Sequence, residues 1–167
     1  MHELALQIAR LTKMNNPRRG ITVQSTVVEG GTVSNVVPAH ARAEVDIRYS
    51  HLADAAKLNK KLRGLRPILK GAQIEVRGGI NRPPLERTSQ VLKLFSQAQS
   101  LMREIRVDVG ETATGGGSDG NFTAALGVPT LDGLGAVGSG AHSPEENVVI
   151  RSLPQRAALL AGLLLTL

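Results

Sequence analysis

One stretch in the C-terminal half constrains the fold of this chain more than any other, because half of the 18 glycines lie in it. It runs from Thr114 to Glu146 and reads TGGGSDGNFTAALGVPTLDGLGAVGSGAHSPEE. Glycine loses more conformational entropy on folding than other residues, so such a cluster indicates backbone that bends tightly or approaches another group closely. The stretch ends in His142, a candidate ligand, with Glu145 and Glu146 just behind it. We therefore expect the chemistry of the chain to lie here.

The composition is typical of a soluble globular protein with an aliphatic core. The 167 residues suffice for one medium domain or two small ones, and 41% of them are apolar and 20% charged. No stretch reaches the ~18 apolar residues of a membrane span, and the first ten residues lack the pattern of a signal peptide. Cysteine is absent, which excludes disulfides and thiolate ligands. We expect a cytoplasmic protein that does not associate with membranes.

The net charge of +6 raises the question of nucleic-acid binding. The basic residues are scattered along the chain, and no aromatic residue lies among them to stack on a base. We therefore expect a solvated basic surface and no nucleic-acid partner. A basic field also favours small molecules that carry a carboxylate.

The first half of the chain alternates between helical and extended patterns. Apolar residues recur every three to four positions in its helical segments and every second position in its extended segments. The expected elements are a helix over 2–14, a strand over 21–28, a turn at Gly30 and Gly31, an extended stretch over 33–49, a helix over 51–66 and a strand over 72–77. The order is close to a split βαβ sandwich that lacks its first strand.

The segment GGINRPP, residues 78–84, predicts a domain boundary, since it combines two glycines, two prolines and no regular pattern. Beyond it we expect a helix over 88–103, a short strand over 105–109, a helix over 119–126, a strand over 128–131 and a helix over 152–167. These elements indicate a piece of an α/β layer. Two strands cannot form a sheet that buries three helices, so this half looks incomplete.

Two enzyme motifs occur in the glycine-rich stretch. Gly115, Gly117 and Gly120 match the dinucleotide-binding pattern GxGxxG, although the preceding strand is short and alternating. The residues around Ser118 match GxSxG, and Asp132 and His142 follow in the order of a serine hydrolase triad. Only 14 residues separate Ser118 from Asp132, and only 10 separate Asp132 from His142, which is closer than that fold requires.

A metal site and a plain solvated connector are the other interpretations of the same stretch. His142 lies in a polar loop, and neutral imidazole is a common zinc ligand. A catalytic zinc ion needs about three protein ligands, and no HExxH pattern occurs. From the residues alone, His142 can therefore supply part of a metal site but not a whole one.

Two longer motifs resemble a known family. The first, GGTVSNVVPAHARAEVDIRY from Gly30 to Tyr49, is similar to the family's lid segment. The second, TGGGSDGNF…GVPTLDGLG…GAHSPEE, is similar to the closing segment of its catalytic domain. The family comprises the zinc-dependent metallopeptidases that include acetylornithine deacetylase, succinyl-diaminopimelate desuccinylase, aminoacylase and carboxypeptidase G. The resemblance covers nearly all of the chain.

The resemblance implies a fold of class α/β with an α+β lid. By position, residues 1–80 correspond to a βαββαβ lid or dimerisation domain without its first strand. Residues 85–167 correspond to the C-terminal segment of the α/β catalytic domain. In this family the lid commonly forms the dimer, so a homodimer through the lid is expected.

The resemblance also implies roles for individual residues. His142 falls on the last metal ligand, and zinc is the implied cofactor. Asn35 and Arg48 fall on lid residues that hold the substrate carboxylate. Three residues fall on the loop that lines the substrate site, namely Gly116, Gly117 and Ser118. Asp119 is expected to cap the helix that follows.

The family's other metal ligands and its general-base glutamate precede the lid, in a half that this chain does not contain. The expected function is thus the C-terminal part of a zinc-dependent amidohydrolase or carboxypeptidase, inactive alone, whose partner is the missing N-terminal catalytic half. The complete enzyme would cleave an amide next to a free carboxylate, as in an N-acyl amino acid or peptide. The alternative is a non-catalytic module that associates through an exposed strand edge.

Overall fold

A computed structural model describes residues 1–166 and shows a mixed α/β chain with small antiparallel sheets. The chain divides into two compact units, Met1–Pro84 and the residues from Leu85 onward. The division falls at the end of the segment 78–84. Among the described residues, no helix combines the length and the apolar character that crossing a membrane requires.

The first unit consists of two helices and a two-stranded antiparallel ribbon. Its elements are α1, His2–Thr12; a 3-10 turn, Pro17–Arg19; β1, Thr22–Gly30; β2, Ala41–Arg48; and α2, Leu52–Arg63. The ribbon pairs Thr22 with Arg48 at one end and Gly30 with Ala41 at the other. The antiparallel pair predicted on either side of the two glycines is thus present, although β1 extends through Gly30 into the expected turn.

An aliphatic core joins the helices of this unit to the ribbon. Its buried members come from α1, the start of the ribbon and α2: Leu11, Ile21, Val23 and Leu58. Beside this core, the Arg19 guanidinium bonds both carboxylate oxygens of Asp54, at 2.7 and 3.3 Å. Asp54 is only 3% exposed, so this ion pair supplies the partner that a buried carboxylate needs.

The side chain of Asn15 pairs with the outer edge of β1. Its Oδ1 accepts a hydrogen bond from the Val23 N–H at 2.8 Å, and its Nδ2 donates to the Val23 carbonyl at 3.0 Å. A primary amide presents the same donor and acceptor as a peptide group. Asn15 therefore occupies the place that a neighbouring strand would take at Val23.

The second unit is built on two packed helices. Its elements are α3, Ser89–Glu104; α4, Gly120–Ala125; β3, Gly138–Ser139; β4, Asn147–Val148; a 3-10 turn, Ile150–Ser152; and α5, Leu153–Thr166. Thr88 caps the start of α3, since its Oγ1 accepts a hydrogen bond from the Val91 N–H at 3.2 Å. Leu167, the last residue of the predicted final helix, lies outside the described residues.

The core of the second unit lies between α3 and α5. Its buried members are Ala98, Met102, Leu159 and Leu163. At Gly162 the helices approach so closely that an added Cβ would lie 3.1 Å from the Leu101 side chain. The valines of the predicted strand over 105–109 and Leu131 of the one over 128–131 pack against the same core.

Several predicted extended segments are not strands in the described structure, and these predictions were wrong. Residues 33–40 form an irregular connection, and residues 72–77, 105–109 and 128–131 form no ladder. Residues 72–77 do alternate between half-buried and exposed, as the pattern predicted. The carbonyls of Val76 and Gly78, however, accept hydrogen bonds from the Arg63 guanidinium rather than from a strand. Alternation of apolar and polar residues shows which side of a segment is buried. A strand also needs a neighbouring segment that forms backbone hydrogen bonds with it.

Candidate metal-binding and substrate-binding residues

His142 lies in a seven-residue loop, residues 140–146, that a short hairpin closes. The pairs Gly138–Val148 and Ser139–Asn147 form the ladder, and Val149 N–H donates to the Val137 carbonyl at 2.8 Å just outside it. The loop is therefore tied at its base, and His142 is exposed on it.

The backbone of His142 has φ 67°, in the left-handed region. The other described non-glycine residue with positive φ is Arg106, which lies just beyond the end of α3, where such a conformation is common. No helix ends at His142. Its backbone N–H instead donates to Glu146 Oε2 at 3.3 Å. Glu146 thus helps to hold an unfavourable conformation, a role that sequence reasoning missed although the acid lies only four residues away.

The donor atoms around His142 do not make a complete metal centre. Within residues 1–166, no group of three or more His, Cys, Asp or Glu side chains is arranged to hold a metal ion. A zinc site takes three or four protein ligands. The described residues therefore do not fit a whole zinc centre, and His142 is a single candidate ligand.

The loop before α4 uses most of its own backbone donors. Gly116 N–H donates to Thr114 Oγ1 at 3.2 Å, and Ser118 N–H donates to Asn121 Oδ1 at 2.8 Å. Both amides were expected to face a substrate. The Gly117 N–H makes no hydrogen bond among the described residues, and Gly117 is exposed. Of the three predicted residues, Gly117 thus has the amide that is available to an anion.

Ser118, rather than Asp119, caps the α4 helix. Asp119 occupies the N-cap position, but its side chain makes no capping hydrogen bond, so the predicted capping role was wrong. Ser118 Oγ instead accepts the Gly120 N–H at 3.1 Å. A hydroxyl one residue further back reaches the first turn because Asp119 already has helical backbone angles, φ −70° and ψ −20°.

The structure does not assemble a serine hydrolase triad. No hydrogen bond among the described residues links Ser118, Asp132 and His142, and Ser118 Oγ is engaged by the helix. The structure does not support a dinucleotide-binding site either. Residues 105–109 form no strand before the GxGxxG pattern, and α4 after it has only 6 residues.

An arginine of α5 fixes the middle of the glycine-rich stretch. Arg156 Nε donates to the Gly135 carbonyl at 2.7 Å, and its Nη2 donates to the Gly133 carbonyl. Sequence reasoning missed this contact, because nothing in a helical arginine indicates which distant carbonyl it will reach. The contact links the loop that follows Asp132 to the packed helix.

The two predicted carboxylate-binding residues lie in the first unit. Asn35 is exposed in the connection between Gly30 and Ala41. Arg48 is the last residue of β2, seven residues after Ala41. At about 3.3 Å per residue this separates Arg48 from the start of β2 by roughly 23 Å. Arg48 is exposed, and its Nε donates a hydrogen bond to Asp46 Oδ2 at 2.8 Å. Asn35 and Arg48 keep their predicted roles as predictions.

Comparisons with known proteins agree on one family. A profile of peptidase family M20/M25/M40 matches residues 7–166. Carboxypeptidase G2 of Pseudomonas sp. is 30% identical over 164 residues, which are 96% of this chain and 40% of that protein. Succinyl-diaminopimelate desuccinylases of Methylobacterium sp. and Parvibaculum lavamentivorans are 28% and 30% identical over 144 and 138 residues. These matches cover 84% and 80% of this chain and 35% and 34% of the relatives.

The chain thus spans well under half the length of the curated relatives that it matches. The profile, by contrast, covers nearly the whole chain, including both motifs and the His142 loop. On that match, this chain belongs to peptidase family M20/M25/M40.

Proposed function

We propose that this chain supplies the His142-bearing part of a zinc-dependent hydrolase that cleaves an amide next to a free carboxylate. The observation that carries the proposal is the position of His142, whose imidazole is exposed on a loop that a hairpin closes. This loop lies within the residues that match the family. The names of the relatives, a carboxypeptidase and a desuccinylase, support amide cleavage and a carboxylate-bearing substrate. N-acyl amino acids and small peptides are the substrate class.

The proposed roles follow from the chemistry of each side chain. His142 offers one imidazole nitrogen to the metal. Arg48 binds the substrate carboxylate, because a guanidinium forms charge-assisted bonds to it. The Gly117 amide donates to an oxygen of the substrate. Because no three His, Cys, Asp or Glu side chains of residues 1–166 are grouped to hold a metal ion, we propose that a further polypeptide segment supplies the other metal ligands and that the chain is inactive alone.

A chimera tests the role of His142. The matched part of carboxypeptidase G2 is replaced by this chain, and hydrolysis of N-acyl amino acids is measured in the presence of zinc. We expect the chimera to be active and His142→Ala to lower kcat by about 10²-fold or more, because the metal then lacks one of its protein ligands. His40→Ala, which removes an exposed histidine of the first unit, is the control and should leave kcat unchanged.

The inactivity of the chain alone is tested separately. The purified chain is incubated with zinc and the same substrates. We expect no turnover above the background rate. Turnover that is lost when zinc is removed would refute the proposal that other segments complete the site. It would not bear on the role of His142, which the chimera tests separately.

The alternative is an association module, and the two-stranded ribbon favours it. Within the described residues β1 and β2 pair only with each other, so the outer edge of β2, and that of β1 beyond Val23, are open to a second copy of the chain. A homodimer through this lid-like unit is therefore also proposed. Sedimentation should show dimers at micromolar concentration, and a monomer at all accessible concentrations would count against it.

A further inference from the structure

The positive charge of the chain is concentrated in the first unit. Residues 1–84 carry 14 Lys and Arg against 6 Asp and Glu, a net charge of +8, whereas residues 85–167 carry 6 against 8, a net charge of −2. Such asymmetry between two parts of one chain indicates an anionic partner for the basic part. The question is whether the structure gathers that charge in one place.

Part of this positive charge is clustered in a groove of about 760 Å³ between α1 and α2. Five cationic side chains line the groove, and they are Arg10, Lys13, Lys57, Lys60 and Lys61. Lys57, Lys60 and Lys61 lie at positions i, i+3 and i+4 of α2 and therefore share one face of it. Met14 and Leu65 also line the groove and are half-buried against the core.

No acidic side chain of either helix neutralises the groove. The one acid of α1, Glu3, accepts hydrogen bonds from the Ile68 and Leu69 amides, and the one acid of α2, Asp54, is buried against Arg19. The four lysine ammonium groups form no ion pair or hydrogen bond with any described residue.

The fold alone does not account for this arrangement. Cations in the last turn of a helix interact favourably with its dipole, which explains Arg10, Lys60 and Lys61. Lys57 lies in the middle of α2, where the dipole offers nothing, and like charges one turn apart repel. Lys57 beside Lys60 and Lys61 is therefore unfavourable for the helix unless an anion lies between them.

We propose that the groove between α1 and α2 binds a small anion that carries several phosphate groups. Ammonium groups bind phosphate oxygens as point charges, and five cations in one concavity match an anion with about four or five negative charges. No aromatic residue lines the groove, which disfavours nucleic acid. Its apolar residues belong to the core and are not free to insert, which disfavours a lipid surface. This proposal is independent of the function proposed above.

Calorimetry on the intact chain tests the proposal, with inorganic tripolyphosphate as the probe. We expect saturable 1:1 binding that weakens as salt is added. The double variant Lys57→Gln/Lys61→Gln should raise Kd by about tenfold or more. Lys93→Gln, which neutralises an exposed lysine of α3 in the second unit, is the matched control and should leave Kd unchanged.

Two further measurements decide between sources of binding. The Met14 methyl resonance should shift during the titration, while that of Met102, buried in the other unit, should not. ATP should bind no more tightly than tripolyphosphate, since only phosphate is recognised. The proposal is overturned if the native chain shows no saturable binding or if the Lys93 variant loses as much affinity. It is also overturned if duplex DNA or anionic vesicles bind the groove while tripolyphosphate does not.

Discussion

His142 adopts a backbone conformation that costs a residue with a Cβ atom about 1–2 kcal/mol. The hairpin and the Glu146 carboxylate maintain it. The cost is consistent with a side chain that is positioned for a task, because strained residues that have no task are readily replaced by glycine.

This strain predicts a difference between two variants that both remove the imidazole. His142→Gly relieves the strain, whereas His142→Ala retains it, so the glycine variant should be more stable by about 1 kcal/mol. Urea denaturation followed by circular dichroism measures the difference. Equal midpoints for the two variants would show that the left-handed conformation is not maintained in solution.

Glu3 provides a test of pH dependence at the same scale. Hydrogen bonds from Gln7 and from the Leu69 and Ile68 amides hold the pKa of the Glu3 carboxyl below its ordinary value of 4.5. A depressed pKa in the folded state means that ionised Glu3 stabilises the fold above the unfolded value. That contribution is lost as the pH falls through the lower folded value.

The stability difference between the native chain and Glu3→Gln should therefore be largest above about pH 5 and shrink towards pH 3. Urea midpoints measured at several pH values give the difference. Glu44→Gln is the control, since the Glu44 side chain is exposed on β2 and makes no hydrogen bond among the described residues. A Glu3→Gln difference that stays constant with pH would contradict the assignment.

At the scale of elements, the β3–β4 hairpin positions His142, and Gly138 permits it. A methyl group on Gly138 would collide with the Asn147 carbonyl oxygen, which is backbone and cannot rotate away. Gly138→Ala should open the hairpin and cost about 1–3 kcal/mol. Gly135→Ala is the control, because an added Cβ meets nothing within 4 Å there.

Amide hydrogen exchange of Val149 measures this effect, since its N–H closes the base of the hairpin. We expect faster exchange in the Gly138 variant and an unchanged rate in the Gly135 variant. Unchanged protection in both would show that the hairpin tolerates the methyl group.

The helices were predictable because each one carries its own pattern. Val91, Leu94, Ala98 and Leu101 repeat at helical spacing, and α3 begins at Ser89, one residue after the predicted start. The sequence did not reveal that residues 105–109 and 128–131, which were predicted as strands, are irregular. Their apolar residues reach the core as expected, but the polar groups around them find partners elsewhere. Gln99 Nε2, for instance, donates to the Val109 carbonyl at 2.9 Å.

The candidate site was predictable only where a residue type limits the chemistry. An imidazole among glycines made His142 the candidate ligand without any tertiary contact, and its role as a ligand stays a prediction. Three contacts depend on how the glycine-rich stretch folds. They are the hydrogen bonds of Glu146 with the His142 amide, of Ser118 with the Gly120 amide and of Arg156 with the Gly135 carbonyl. Sequence spacing does not encode those contacts.

At the scale of the whole molecule, two separate cores predict separate responses to core mutations. Met102 is 1% exposed in the second unit, and Val23 is 4% exposed in the first. Met102→Ala should destabilise the second unit by about 2–5 kcal/mol and leave the first unit unchanged. Val23→Ala should have the reciprocal effect.

Methyl resonances of Leu58 and Leu159, one in each core, report the two transitions during a urea titration. Each substitution should lower the midpoint only for the leucine of its own core. Midpoints that move together for both leucines would show that the units unfold as one cooperative body.

The amide of Asn15 has a consequence for any assembly that grows from the ribbon. An added antiparallel chain bonds every second residue of its host, and the first such place, Val23, is already taken. A chain added to this edge of β1 must therefore be offset by at least two residues towards Glu29, to Ser25, where the bulge between Ser25 and Val27 begins. The Asn15 side chain thus limits the stagger with which a second copy can join the ribbon at β1.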